Sequence, residues 1–207
     1  MRLTVDHKVL KADMAGETLR AAAGSMIAYT GDVDFKYAGM GGGGGFKAAF
    51  KQKVAGESIK LMNCVGNGTV YFAQDAYDIT LVKLNNEEFT VESEHILALT
   101  EGLGTDVKFS GLRGVTAGHG LATTVIRGTG EVAVLSDGPL FGLKVSPQQP
   151  AVVDPDAYIA SAGNMNISLV SGVSWRTLVG EGTGEPFSLR FEGEGVVYVQ
   201  PSEGSHL

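Results

Sequence analysis

The chain has 207 residues, 43% hydrophobic and 19% charged, which excludes a disordered polymer and leaves enough length to bury a core without metal or disulfide. Its 30 glycines are about 14% of the residues, twice the usual ~7%, yet they keep no period of three, so collagen is excluded. A net charge of −7 repels a phosphate backbone, so nucleic acid is not an expected partner.

In chain order, LTVDHKVLKAD (3–13) alternates and reads as a strand. AGSMIAYTG (23–31) sets a small-residue turn before an apolar triplet ending in Ala28. A glycine tract then runs through Gly39, Gly41, Gly42, Gly43, Gly44 and Gly45 into FKAAFKQKVA (46–55). That stretch is the only one with plausible helical spacing, and Phe46, Phe50 and Val54 would share one face of it. GESIKLMNCVGNGTVYFAQ (56–74), GHGLATTVIRGTGEVAVLS (118–136) and GEPFSLRFEGEGVVYVQP (184–201) each pass through a G-x-G, read as a turn, into a β-branched or aromatic run. YDITLVKL (77–84), FTVES (89–93), GPLFGLKV (138–145) and AVVDP (151–155) read as further short strands. ESEHILALTEG (92–102) and DPDAYIASAG (154–163) repeat the turn and apolar triplet, ending in Ala98 and Ala160.

These recurrences divide the chain into one domain of three repeats, approximately 14–84, 85–145 and 146–201. First members of the G-x-G pairs (Gly66, Gly128, Gly193) are spaced by 62 and 65 residues, and Ala28, Ala98 and Ala160 by 70 and 62. The longer first interval is accounted for by the glycine tract. No strand of the YDITLVKL type follows the third repeat. The first strand, 3–12, is therefore expected to complete it and close the sheet, removing edges that invite aggregation. The expected fold is all-β: a closed pseudo-threefold barrel or prism of about 15–18 short antiparallel strands, similar to a shortened double-stranded β-helix, with little helix.

The order GETLRAAAGSMIAYTGDVDF, polyglycine, AGESIKLMNCVGNGTVYFA resembles the altered-inheritance-of-mitochondria type family over roughly residues 5–200. Its markers here are A-G-S-M-x-A at 23–28, the glycines at 41–45, A-G-E-S at 55–58 and the repeated G-x-G-x-V. The resemblance implies a fold similar to the tryptophan RNA-binding attenuation protein class, and it brings no catalytic residues. It also implies a bacterial rather than mitochondrial member, because no targeting segment is recognised.

Individual residues point weakly to chemistry. The glycine tract fails as a phosphate loop, since Lys47 follows Phe46 and precedes Ala48. Phe46 and Phe50 interleaved with Lys47, Lys51 and Lys53 could lie on an anionic membrane surface. His95 stands beside Glu92 and Glu94, but strand alternation would send His95 to the opposite face, so no metal site is expected. Asp154 and Asp156 flank Pro155 and read as turn residues rather than paired acids. Cys64 lies in an apolar strand as an inert thiol, and a lone cysteine suits a reducing, cytoplasmic setting. No signal peptide or transmembrane run is recognised.

The expected function is non-catalytic: a structural or interaction protein that self-associates as a homo-oligomer, with an unknown protein partner and no cofactor. The alternative is a binder of a small ligand or of an anionic membrane surface, touched peripherally. Its candidate surface is Gly41, Gly42, Gly43, Gly44, Gly45, Phe46, Lys47, Phe50, Lys51 and Lys53.

Overall fold

The structure is a computed structural model that describes residues 1–37, 60–109, 122–171 and 187–202. The described residues are all-β apart from two single turns of 3₁₀ helix, Ser93–His95 and Pro155–Ala157. The described strands are β1 (Arg2–Asp6), β2 (Val9–Ala22), β3 (Met26–Tyr37), β4 (Leu61–Phe72), β5 (Asp78–Glu92), β6 (Ile96–Thr100), β7 (Leu103–Phe109), β8 (Ala122–Ser136), β9 (Phe141–Val145), β10 (Ala151–Val153), β11 (Tyr158–Ser171) and β12 (Phe187–Val199). All described pairings are antiparallel, and they join one sheet.

The G-x-G pairs are not turns. Gly66 and Gly68 lie inside β4, Gly128 and Gly130 inside β8, Gly193 and Gly195 inside β12. A Cβ on Gly66 would stand 2.2 Å from the Asp32 carbonyl oxygen, and one on Gly128 2.3 Å from that of Gly102. Glycine is required there because a neighbouring backbone passes too close for any side chain. A long strand therefore runs on through each pair. This is why there are twelve described strands, several of 12–15 residues, in place of more numerous short ones. Residues 77–84 and 89–93 likewise fuse into β5. Asn86 absorbs the break with φ 60° as a bulge opposite β8, not as a turn.

The ladders repeat one pattern three times. β4 lies between β2 and β3. β8 lies between β5 on one side and β6 with β7 on the other. β12 lies between β9 with β10 and β11. Each pattern carries a bulge at the same place: Ile27 between Met26 and Ala28, Leu97 between Ile96 and Ala98, Ile159 between Tyr158 and Ala160. Two seams join these units. At the first, Ala21 pairs with Ala98 and Arg20 with Leu99. At the second, Val91 pairs with Ala160 and Thr90 with Ser161.

Burial follows the seams. One core cluster combines Leu10, Leu19 and Phe72 with Leu97 and Leu135 across the first seam. Another combines Phe89, Leu99 and Ile126 with Ile159 across the second. The third, around Tyr158, Leu189, Phe191 and Val197, contains only residues of β9 to β12 and the turn between them.

The expected closure is not found among the described residues. Segment 3–13 is not one strand: it turns at His7, where φ is 53°, and β1 pairs back on β2. β1 also packs against β5, and no ladder brings it to β12. Hairpin pairing at minimal loop length outcompetes a pairing that would span the whole chain. The sheet path instead runs from β10 at one end to β3 at the other.

Candidate functional site

The described residues bring together one set of ionisable side chains, at the end of β5. Glu92, the last residue of that strand, precedes the 3₁₀ turn Ser93–His95. The turn replaces strand alternation with a three-residue periodicity, so Glu92, Glu94 and His95 face one another instead of pointing apart. Their ligand atoms all lie within 4.8 Å of one another. His95 Nε2 is 3.4 Å from Glu92 Oε2 and 4.0 Å from Glu94 Oε1. His95 Nδ1 donates to the Leu135 carbonyl oxygen at 3.0 Å, since a carbonyl can only accept. That bond leaves Nε2 toward the carboxylates. Ser93 Oγ and Thr124 Oγ1, 2.9 Å apart, tie the turn to β8.

Burial pushes the Glu92 carboxyl above its ordinary value; the His95 hydrogen bond opposes this, and Glu94 and Asp156 add like charge. Nearby, burial raises the Tyr158 hydroxyl, which lies 3.1 Å from Ser161 Oγ. Glu92 and His95 are thus a largely buried acid–base pair in contact at 3.4 Å. Its three donor atoms are of types that hold a divalent ion. Sequence reasoning missed this convergence by applying strand alternation through a turn. The signal was present: Ser93 and Glu94 fall where Ala23 and Gly24, and Pro155 and Asp156, stand in the other recurrences.

That correspondence also explains what the couple does in the fold. In each unit the same turn is held by a short-range side-chain bond. Ser25 Oγ donates to the Ala22 carbonyl at 2.7 Å, and Asp154 Oδ1 accepts from the Asp156 amide at 3.0 Å. The His95 contact to Glu92 has the same three-residue span as that of Ser25 to Ala22. The acid–base couple is one version of a turn staple that recurs as a hydroxyl at Ser25 and as a carboxylate at Asp154.

The remaining sequence candidates separate. Asp154 caps the turn Pro155–Ala157. Cys64 is buried, and burial pushes its thiol up to about 11. His7 is exposed beside Asp6. Gly41, Gly42, Gly43, Gly44, Gly45, Phe46, Lys47, Phe50, Lys51 and Lys53, the helix expected over 46–55, His119, Trp175 and His206 all lie outside the described residues.

Comparison with known proteins bears on the whole chain. Residues 2–202 match the family described as mitochondrial biogenesis AIM24. The chain belongs to this family. The same architecture occurs in a Streptococcus pyogenes protein solved by X-ray crystallography as a structural-genomics target. It is 20% identical to this chain, with a TM-score of 0.76 over 97% of this chain and 93% of that one. At that identity the likeness shows that the AIM24 chain shares a fold, and nothing of its activity. No curated protein matches the chain.

Proposed function

We infer that this AIM24-family chain is a non-catalytic interaction protein that self-associates. The observation that carries this reading is a set of apolar side chains left in solvent on strand edges that have no partner among the described residues. Ile27 is 56% exposed and Tyr29 49%, on β3; Val152 is 55% exposed, on β10. A strand edge with free backbone groups and apolar side chains is a template for another strand. The same feature bears on the closure expected from the sequence: the ends of the sheet path are β3 and β10, not segment 3–12.

The ionisable couple supports the non-catalytic part of the reading. Glu92 and His95 contact each other across the turn, as Ser25 and Asp154 staple the corresponding turns of the other two units. Light scattering on the eluting chromatographic peak tests the reading. A mass of two or more chains at micromolar concentration is expected, and a strict single chain of 21.6 kDa would overturn it.

A further inference from the structure

We propose that the β3 edge of one molecule is completed by the β10 edge of a second copy, antiparallel, with Ala28 opposite Val153 and Tyr29 opposite Val152. The inference rests on the self-association reading and adds to it which edges meet and in what register.

The register comes from the two seams already formed. In each unit the bulge residue is Ile27, Leu97 or Ile159. Ala21, Val91 and Val153 are equally equivalent, because each pairs with the residue four positions before the first glycine of its G-x-G: Met62, Thr124 and Leu189. At the first seam Ala21 meets Ala98; at the second Val91 meets Ala160. The same step applied to the remaining edges sets Val153 against Ala28.

Burial shows that this third seam lacks its partner. Leu97 and Ile159 are both fully buried where their counterpart Ile27 is 56% exposed. Ala98 and Ala160 are likewise fully buried, and their counterpart Ala28 is exposed. At the first seam Arg20 donates to the Leu103 carbonyl. Its counterpart on the free edge is Val152, so the open edge is more apolar than the one already covered.

The occupant is a second copy for three reasons. Residues of both edges stand exposed in the same molecule, and no ladder joins β3 to β10 among the described residues. Both closed seams join unlike edges, as β2 with β6 and β5 with β11, so the partner of β3 is a β10-type edge, and this chain carries one. None of the residues that would pair is charged, so no charge is desolvated on docking. Two copies exchanging these edges reciprocally leave neither β3 nor β10 open, which a twofold dimer accomplishes with the fewest chains.

The test uses the full chain with Tyr29→Cys in one preparation and Val152→Cys in another, mixed and mildly oxidised. Directly opposed antiparallel positions lie within disulfide reach, and buried Cys64 does not compete. The expected result is an assembly of two or more chains by light scattering, with a disulfide joining position 29 of one chain to position 152 of another. Ile27→Lys is expected to return the assembly to single chains with unchanged far-ultraviolet circular dichroism. An assembly that persists but crosslinks 29 to 29, or not at all, overturns the register and leaves self-association standing. A single chain at micromolar concentration overturns both. If a chain carrying both Tyr29→Cys and Val152→Cys forms its disulfide internally, the occupant is the chain's own edge and the proposal is wrong.

Discussion

Glu92 shows how a single side chain carries both local structure and a pH dependence. Its burial raises the carboxyl above the ordinary value of 4.5, so the folded chain holds a proton that the unfolded chain has already released. Folding then takes up protons, and the contribution of Glu92 is most favourable below 4.5 and falls as pH rises through the raised folded value. Urea midpoints measured from pH 4 to 8 should show this decline, and Glu92→Gln should flatten it. The glycines offer a sharper contrast. At Gly66, with φ 143° and a carbonyl 2.2 Å from a new Cβ, alanine forces the strands apart and is expected to cost about 3 kcal/mol or more. At Gly16, φ is 95° and nothing lies within 4 Å, so alanine costs only the left-handed backbone penalty, about 1–2 kcal/mol. Paired denaturation curves of the two variants check the difference. The spacing of the G-x-G pairs was legible in the sequence. Their role was not, because what forbids a side chain at Gly66 is the backbone around Asp32, more than thirty residues away.

At the scale of elements, the strand-forming runs were readable from their β-branched and aromatic residues, and those around Val70, Val132 and Val196 all lie within long strands. Pairing was not readable, because apolar alternation shows which face a strand buries but not which edge it meets. Segment 3–13 illustrates this. Its alternation fitted a strand closing the third repeat, and it instead forms the β1–β2 hairpin with Leu3 in the first core cluster. Leu3→Ala is therefore expected to destabilise the first unit, by about 2–3 kcal/mol. Hydrogen exchange should show the loss in β2 and in β5, which β1 packs against, before any change in β12. Equal loss in β12 would revive the original closure. The same logic explains the missed Glu92–His95 couple: one 3₁₀ turn between β5 and β6 reverses the facing that strand alternation assigns.

Across the whole molecule, the core is divided by where strands join. Two clusters each bridge a seam, whereas the third holds only residues of β9 to β12 and the turn between them. That third cluster lacks the β3 side chains that the repeating pattern would bring to it. In dilute solution the amides of β3 and β10 are thus expected to exchange fastest among the described strands, and to gain protection as concentration rises. Exchange independent of concentration would count against assembly through these edges. Cys64 reports on the same core from within. Fully buried, with its thiol pushed up to about 11, it should react with a thiol reagent only at the rate of unfolding.

The sequence by itself determined that this chain is β, because β-branched runs, glycine spacing and short turn signals act over a few residues and leave no alternative local structure. It also carried the order of motifs that marks the family. Only the tertiary structure decided which strands are neighbours, that the glycines serve crossings rather than turns, and that β3 and β10 end the sheet path among the described residues. Those outcomes depend on contacts between residues far apart in the chain. Their free energy lies in backbone approach and side-chain burial that no local pattern encodes.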